Sequence, residues 1–260
     1  MKAGSLQVVG TGYLIAGHAT PQAVAAMRRA DKLFYLVGDA PTRAWIESLN
    51  RSAESLQDAY AVDKLRSLSY QEMVERILAP LRRGLDVCAA FYGHPGVMAN
   101  PSHAAIRQAR GEGYDARMLP AISAADCLYA DLGVDPGAEG CQSFEASDFL
   151  LRHRRFDPTS TLLLWQIGAI GVKTLPAEPC NRNGLAVLSE VLEEHYPAHH
   201  EVVIYEATDL PVCDPRIVRV PLAGLADAEV TWASTLYVPP LPRRPIDLRM
   251  RDRLKPSPRP

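Results

Sequence analysis

The first half of the chain alternates short apolar runs with segments whose apolar residues recur at helical spacing. The runs typical of buried strands lie at 5–10, 33–37, 86–93 and 114–120. Between them, Thr20 followed by Pro21 is typical of a helix start. Ser69, with Glu72 three residues later, predicts a capping box that opens a helix over 69–84. Strands that alternate with helices predict a parallel sheet covered on both faces.

The second half of the chain predicts a different sheet. Strong apolar runs at 159–168 and 200–207 flank one long helical pattern at 184–196. Two further strand-like runs, 216–225 and 231–240, lie too close together for helical crossovers, which predicts a mixed or antiparallel sheet. We therefore expect an α/β fold with a parallel-sheet N-terminal domain, a mixed-sheet C-terminal domain and a tail, at 1–120, 121–240 and 241–260.

Composition and charge are those of an ordinary soluble protein. Apolar residues make up 47% and charged residues 22% of the chain, and a net charge of −2 gives no global sign of binding to nucleic acid or membrane. The tail carries seven Lys or Arg against two Asp and is rich in proline, so we expect it to be extended or disordered. It is either a docking arm or a solvated end. Five scattered cysteines without a CxxC pair indicate reduced thiols in a cytoplasmic protein.

Two glycine-rich loops follow predicted strands of the first sheet. The glycines of "GTGYLIAG" are spaced two residues too widely for the GxGxxG dinucleotide fingerprint, so this loop indicates only a sharp turn. "YGHPG", residues 92–96, places two glycines, a histidine and a proline directly after another strand. Ligands of open α/β sheets bind outside the carboxyl ends of the strands. The loop is therefore either a ligand loop, which we favour, or a tight turn with incidental polar residues.

A resemblance to a known family rests on several motifs in order. These are the stretch from "FYGHPGVMANPSH" to "LYADLGVDPG", then "GCQSFEASDFLL", "LLLWQIG", "HEVVIYEA" and "STLYVPP". Together they resemble the tetrapyrrole-methylase fold of S-adenosylmethionine (SAM) methyltransferases, over Val8 to about Pro240. Within that fold the chain most resembles the borosin peptide backbone N-methyltransferases, because "YAVDKLRSLSY" supplies their Tyr, Arg and Tyr as Tyr60, Arg66 and Tyr70.

The resemblance implies a cofactor, a substrate and an assembly. The cofactor would be SAM, leaving as S-adenosyl-L-homocysteine, bound between the two domains. The residues implied to contact it are Tyr92, His94, Val97, Asn100, Ser123, Ala124, Gln166, Ala207, Ser234 and Thr235. Fungal borosins carry their substrate as a C-terminal extension, whereas this sequence ends in an Arg/Pro tail without a hydrophobic core peptide. It therefore resembles the split bacterial borosins, which methylate a separate precursor, as homodimers in complexes of two enzymes with two precursors.

The implied chemistry needs a base and a hydrogen-bond donor. An amide nitrogen is a poor nucleophile because its lone pair is delocalised into the carbonyl group. Transfer of a methyl group to it requires removal of the N–H proton and stabilisation of the oxygen that becomes negative. We expect Tyr70 to be the base, with Arg66 favouring its phenolate, and Tyr60 and Tyr92 to bind the amide oxygen or align the methyl group. The sequence leaves open which tyrosine loses its proton, and no metal is expected.

Two other functions remain open at this stage. The first is a SAM-dependent methylase of a tetrapyrrole or another small molecule, which would not need Arg66. The second is a catalytically silent module that binds SAM or a peptide without turnover. Gln166 illustrates the ambiguity, because a polar side chain in an apolar strand needs a partner, and that partner is either a cofactor or a backbone group.

Overall fold

The computed structural model describes residues 4–174 and 180–256. The first half contains β1 (Ser5–Gly10), α1 (Pro21–Arg29), β2 (Lys32–Leu36), α2 (Ala40–Leu49), β3 (Glu54–Ser55), α3 (Arg66–Arg82), β4 (Val87–Phe91), α4 (Asn100–Gly111) and β5 (Asp115–Met118). The second half contains α5 (Ala124–Leu132), β6 (Cys141–Glu145), α6 (Ala146–Leu151), β7 (Thr161–Trp165), α7 (Arg182–Glu193), β8 (Glu201–Glu206), β9 (Arg216–Pro221), β10 (Thr235–Val238) and α8 (Leu248–Arg253). Short 3-10 turns occupy Gln57–Ala59, Ile167–Ala169 and Leu222–Asp227.

The first half forms a parallel sheet of five strands in the order β3-β2-β4-β1-β5. Both of its faces are buried. Leu6 and Val8 of β1 pack in one apolar core with α3 and α4, whereas Val9 packs in another with α1 and α2. This alternation explains why β2 and β4 are almost entirely apolar, since each successive side chain enters a different core. The predicted parallel sheet is confirmed.

The second half forms a mixed sheet of five strands in the order β6-β7-β10-β8-β9. Only the β6–β7 pair is parallel among the pairs of this sheet that the structure describes. One face packs on α6 and α7, and the other on α5. The predicted α/β class with a mixed second sheet is confirmed.

One local prediction is wrong, and another, that of an extended or disordered tail, is wrong over Leu248–Arg253. The third helix begins at Arg66 rather than at Ser69, so Ser69 lies inside α3, where it is buried and caps nothing. The reason is tertiary, because the residue before the helix, Leu65, pairs with Thr174 from the second half. The tail, expected to be extended or disordered, contains the short exposed helix α8 and is fastened to the body by ion pairs that include Arg243 with Glu139.

In each sheet, the topology brings several strand ends together at one edge. Parallel strands β1, β2 and β4 all end at one edge of the first sheet. In the second sheet, β10 runs antiparallel to β7 and β8, so its beginning lies beside their ends. Among the residues that the structure describes, no helix is long and apolar enough to cross a membrane.

Candidate active site

The floor of the candidate site is made by the two glycine loops, which are directly paired. Gly12 and Gly93 form an antiparallel bridge in which each amide donates to the other's carbonyl, at 3.2 and 2.9 Å. Both residues have positive φ, a conformation that favours glycine. The two loops that the sequence marked separately are therefore one structure.

The YGHPG loop is held partly by its own side chains. His94 Nδ1 accepts a hydrogen bond from the Gly96 amide at 2.9 Å, and the Ser102 hydroxyl donates to the carbonyl of Pro95. One ring nitrogen of His94 thus stabilises the turn itself. Tyr92, directly after β4, is 55% exposed, so its phenol remains open to a ligand.

Four tyrosines gather in two pairs at this edge. Tyr60 and Tyr70 meet edge to face, with ring centroids 6.4 Å apart. Tyr13, which follows the first glycine loop, meets Tyr92 in the same way at 6.5 Å. Because such pairs fix ring orientation, they present the phenol groups in a defined arrangement.

Arg66 connects the tyrosines to the second half of the molecule. It stands four residues before Tyr70 at the start of α3, so the two side chains share one face of the helix. Its amide donates to the carbonyl of Lys173 at 3.0 Å, and its guanidinium donates to the carbonyl of Val172. The guanidinium also lies 6.0 Å from the ring centroid of Trp232, within the range of a cation–π contact.

The electrostatics of the cleft favour protonated phenols at Tyr60 and Tyr92. Desolvation by the surrounding protein raises the pKa of both phenols, even though Tyr92 is 55% exposed. Tyr70 adds to the effect, and the Arg66 guanidinium opposes it. Asp209 raises the pKa of Tyr92 further. The pKa of Asp209 is itself raised by burial and by the carboxylate of Asp39. At neutral pH, Tyr60 and Tyr92 are therefore hydrogen-bond donors.

The predicted contacts of the second half also lie at strand ends. Gln166 directly follows β7 in a left-handed conformation (φ 59°), which is uncommon for a residue other than glycine and marks a strained position. Ala207 directly follows β8. Ser234 and Thr235 are buried at the start of β10, and the Ser234 hydroxyl is already used by the Glu206 carboxylate. The Ser234 backbone is engaged too, because its amide donates to the Thr231 carbonyl at 3.1 Å and its carbonyl accepts from the Ile167 amide at 3.2 Å.

The remaining predicted contacts are spread around this edge. Ser123 is the N-cap of α5, where it forms a capping box with Asp126, and Ala124 is the first residue of that helix. Val97 is 40% exposed in the loop after β4, and Asn100 is exposed at the start of α4. The structure thus brings Tyr60, Arg66, Tyr70 and Tyr92 together more closely than it does the outer members of the set.

Three residues of the cleft were missed from the sequence. Tyr13 carried a usable signal, because it follows "GTG" at a strand end. Asp209 and Trp232 carried none, since each lies in a loop of the second half and reaches the cleft only through the packing of the two halves. Gly38, two residues after β2, is exposed, and a Cβ built on it would meet nothing within 4 Å beyond its chain neighbours.

A cleft between the ends of a parallel and a mixed sheet, lined by phenols and a guanidinium, places the protein in the class of two-sheet α/β proteins with a polar site. The tetrapyrrole (corrin/porphyrin) methylase family model matches residues 5–226. The chain therefore belongs to the tetrapyrrole methylase family.

Relatives with curated names are methyltransferases joined to a peptide precursor. The chain is 44% identical over 243 residues to the methyltransferase/ribosomally synthesized cyclic peptide gymnopeptides precursor of Gymnopus fusipes, covering 92% of this chain and 58% of that protein. It is 42% identical to the omphalotin A precursor of Omphalotus olearius (98% and 62%), and 40% identical to a type III borosin precursor of Anomoporia bombycina (95% and 29%). The chain thus spans about three fifths of the length of the first two.

Solved structures confirm the fold. Uroporphyrin-III-C-methyltransferase from Thermus thermophilus superposes with a TM-score of 0.63 at 20% identity, covering 91% of this chain and 94% of that one. The methyltransferase CobJ superposes with a TM-score of 0.59 at 16% identity, covering 94% and 97%. The predicted membership of the superfamily, with borosin methyltransferases as homologues, is confirmed.

Proposed function

We propose that this protein transfers methyl groups from SAM to backbone amide nitrogens of a ribosomally made precursor peptide. The observation that carries the proposal is the convergence of Tyr60, Tyr70 and Tyr92 around Arg66 at the edge where both sheets end. The names of the homologues support a peptide substrate.

The glycine floor supports a SAM site at this edge of the cleft, because the paired loops bring backbone rather than side chains to the surface. The residues that would hold the cofactor are Tyr92, His94, Val97, Asn100, Ser123, Ala124, Gln166, Ala207, Ser234 and Thr235. When bound, SAM supplies an electrophilic methyl group.

The chain's own residues would prepare the amide. Tyr70 receives the N–H proton, assisted by the Arg66 guanidinium, which lies on the same face of α3. Tyr60 and Tyr92 donate hydrogen bonds to the amide oxygen as it becomes negative, a role that suits phenols with raised pKa. This division of roles agrees with the pKa directions of Tyr60 and Tyr92, because a phenol that keeps its proton is a donor.

The substrate supply and the assembly belong to the same proposal. We propose a precursor on a separate chain, methylated by a homodimer in a complex of two enzymes and two precursors. The homologues carry the precursor in the same polypeptide, so supply from a separate chain is the part of this proposal that goes beyond them. Analytical ultracentrifugation of the chain alone and with the precursor measures both stoichiometries.

Intact mass spectrometry of a co-expressed precursor tests the reaction. The probe is a small precursor protein with a hydrophobic C-terminal stretch, expressed with the wild type and with the Tyr70→Phe, Tyr60→Phe and Arg66→Lys variants. We expect mass increments of one methylene that map to backbone nitrogens, and a loss of about 10²- to 10⁴-fold in rate for Tyr70→Phe, the range for removal of a general base. Arg66→Lys should also be severely impaired, because lysine lacks the planar fork of donors.

The matched control is Tyr114→Phe. Tyr114 is a half-buried tyrosine before β5, at the opposite end of the first sheet, and its loss should leave the rate unchanged. Methylation of a tetrapyrrole instead of the peptide would replace the proposal with the small-molecule methylase. SAM binding, measured by calorimetry, without transfer to either substrate would identify a silent module.

A further inference from the structure

Glu206, the last residue of β8, closes a loop that borders the cleft. Its carboxylate is largely buried and accepts hydrogen bonds from the hydroxyls of Ser234 and, at 2.9 Å, Thr231. Arg216 of β9 approaches the same oxygen at 3.1 Å. One carboxylate therefore holds both ends of the short loop 231–234.

The loop is closed a second time through its own backbone. The Thr231 amide donates to the Ser234 hydroxyl at 2.9 Å, and the Ser234 amide donates to the Thr231 carbonyl at 3.1 Å. Thr231 also donates its hydroxyl to Glu206, so this network depends on an acceptor at that position. Polar side chains that are mostly buried need such a partner.

Trp232 is the residue that this loop presents to the cleft. Its ring lies 6.0 Å from the guanidinium of Arg66, whose other side donates to the carbonyl of Val172. The guanidinium is thus held between a backbone oxygen and an aromatic face. Movement of the loop would remove one of these two supports.

We infer that Glu206 is a positioning residue for Arg66. It fixes loop 231–234 and, through Trp232, holds the guanidinium in place beside Tyr70. The inference rests on the proposed function only for what Arg66 does in the reaction. The chain of contacts from Glu206 to Arg66 can be tested without any substrate.

The same strand provides a matched control. Glu201, the first residue of β8, pairs with Arg219 of β9 at 3.0 Å, just as Glu206 pairs with Arg216. However, the Glu201 side chain is 59% exposed and lies at the other end of the strand from the cleft. Loss of Glu201 removes a carboxylate–guanidinium pair without touching loop 231–234.

Acrylamide quenching of Trp232 fluorescence tests the contact chain. The chain has three tryptophans. For the wild type and each Glu206 or Glu201 variant, the fluorescence of the same protein carrying Trp232→Phe is therefore subtracted to isolate the Trp232 signal. Glu206→Ala should make Trp232 more accessible to the quencher, whereas Glu206→Gln should stay near wild type because its amide oxygen still accepts from both hydroxyls. Glu201→Ala should match wild type. Equal quenching in Glu206→Ala and wild type would overturn the inference.

Methyl-transfer kinetics on the precursor test the consequence for the reaction. Glu206→Ala should lower kcat by about 10²-fold with KM little changed, the effect expected when a reacting group is displaced by about 1 Å. Glu206→Gln should recover most of the rate. A Glu206→Ala enzyme with unchanged kcat would also overturn the inference. If the wild type transfers no methyl group, the proposed function fails, and the quenching result still decides the role of Glu206.

Discussion

Gly10 ends β1 against the floor of the cleft so tightly that a side chain has no room. A Cβ built on it would lie 2.5 Å from the Cβ of Ala121 and 2.7 Å from the Cδ of Pro95, and would collide with the Gly93 carbonyl. We predict that Gly10→Ala destabilises the protein by about 1–3 kcal/mol, the usual cost of overpacking, and displaces the YGHPG loop. Urea unfolding measures the loss.

Gly17→Ala is the control for this substitution. Gly17 lies in the same glycine-rich stretch, but its nearest neighbours would be 3.6 Å from a new Cβ, which is ordinary contact. Its free energy of unfolding should stay close to wild type. Equal stability of the Gly10→Ala variant and the wild type would show that the floor is not rigid.

Individual residues of the site differ in how well the sequence reveals them. Tyr60, Arg66, Tyr70 and Tyr92 stand at motif positions, and the structure brings them into one cleft. Trp232 could not be predicted, because it faces Arg66 only after two halves of the chain have packed. The cofactor contacts and the catalytic roles stay predictions.

At the level of elements, α3 begins where it docks on the second half. The Gly171–Thr174 segment supplies the carbonyls that receive the backbone and the guanidinium of Arg66. Gly171 has a φ of 72°, which a residue with a side chain adopts only with strain. We predict that Gly171→Ala costs about 1 kcal/mol of stability and lowers methyl transfer strongly, because it moves the Val172 carbonyl.

Gly113→Ala separates these two effects. Gly113 also has a positive φ (87°), has open space around it, and lies between α4 and β5, away from the cleft. It should lose similar stability in thermal unfolding while keeping the wild-type rate of methyl transfer. If both variants lose activity equally, the 171–174 segment has no special role in placing Arg66.

Elements were predictable where their apolar pattern was complete. The 5–10 run predicted β1 to the residue, and Thr20 caps α1 as expected. β3, β6 and α6 were missed because β3 has two residues, while β6 and α6 run together without a turn between them. The helix predicted to begin at Ser69 begins at Arg66 instead, because the pairing of Leu65 with Thr174 fixes the preceding backbone. A tertiary contact thus overrides a local capping pattern.

Across the whole molecule, buried tyrosines set the response to alkaline pH. Burial raises the pKa of Tyr13, Tyr60, Tyr92, Tyr196 and Tyr205 in the folded state. Unfolded tyrosines ionise near about pH 10, so above that pH the unfolded state loses protons that the folded state keeps. We predict that the free energy of unfolding falls as pH rises beyond about 10, as measured by urea unfolding at several pH values.

Tyr196→Phe tests the origin of this dependence. The Tyr196 hydroxyl is buried and has no hydrogen-bond partner among the residues that the structure describes, so its removal should cost little at neutral pH. The free energy of unfolding of the Tyr196→Phe variant should decline less steeply above about pH 10, because one phenol with a raised pKa has been removed. If the free energy of unfolding falls with pH as steeply in the variant as in the wild type, groups other than Tyr196 cause the loss of stability.

The order of strands and helices made the α/β class and the mixed second sheet predictable from the sequence alone. The division at 120 and 240 stays a proposal, since contacts such as that of Arg66 with Val172 cross it. What the sequence could not give is the relative placement of the halves. The contacts between the halves include backbone pairs such as Leu65 with Thr174 and Arg66 with Lys173. Any residue type can form a backbone contact, so these pairs leave no pattern in the sequence.

The mutual pairing of Gly12 and Gly93 has a practical consequence for any attempt to alter the proposed site. A substitution at either glycine strains both loops at once, because both residues have positive φ and each amide donates to the other's carbonyl. Val212, three residues after Asp209, is 90% exposed, so a change there meets little packing constraint. Variation at 208–213 with the glycine loops kept constant therefore alters the surroundings of the proposed site while sparing its floor.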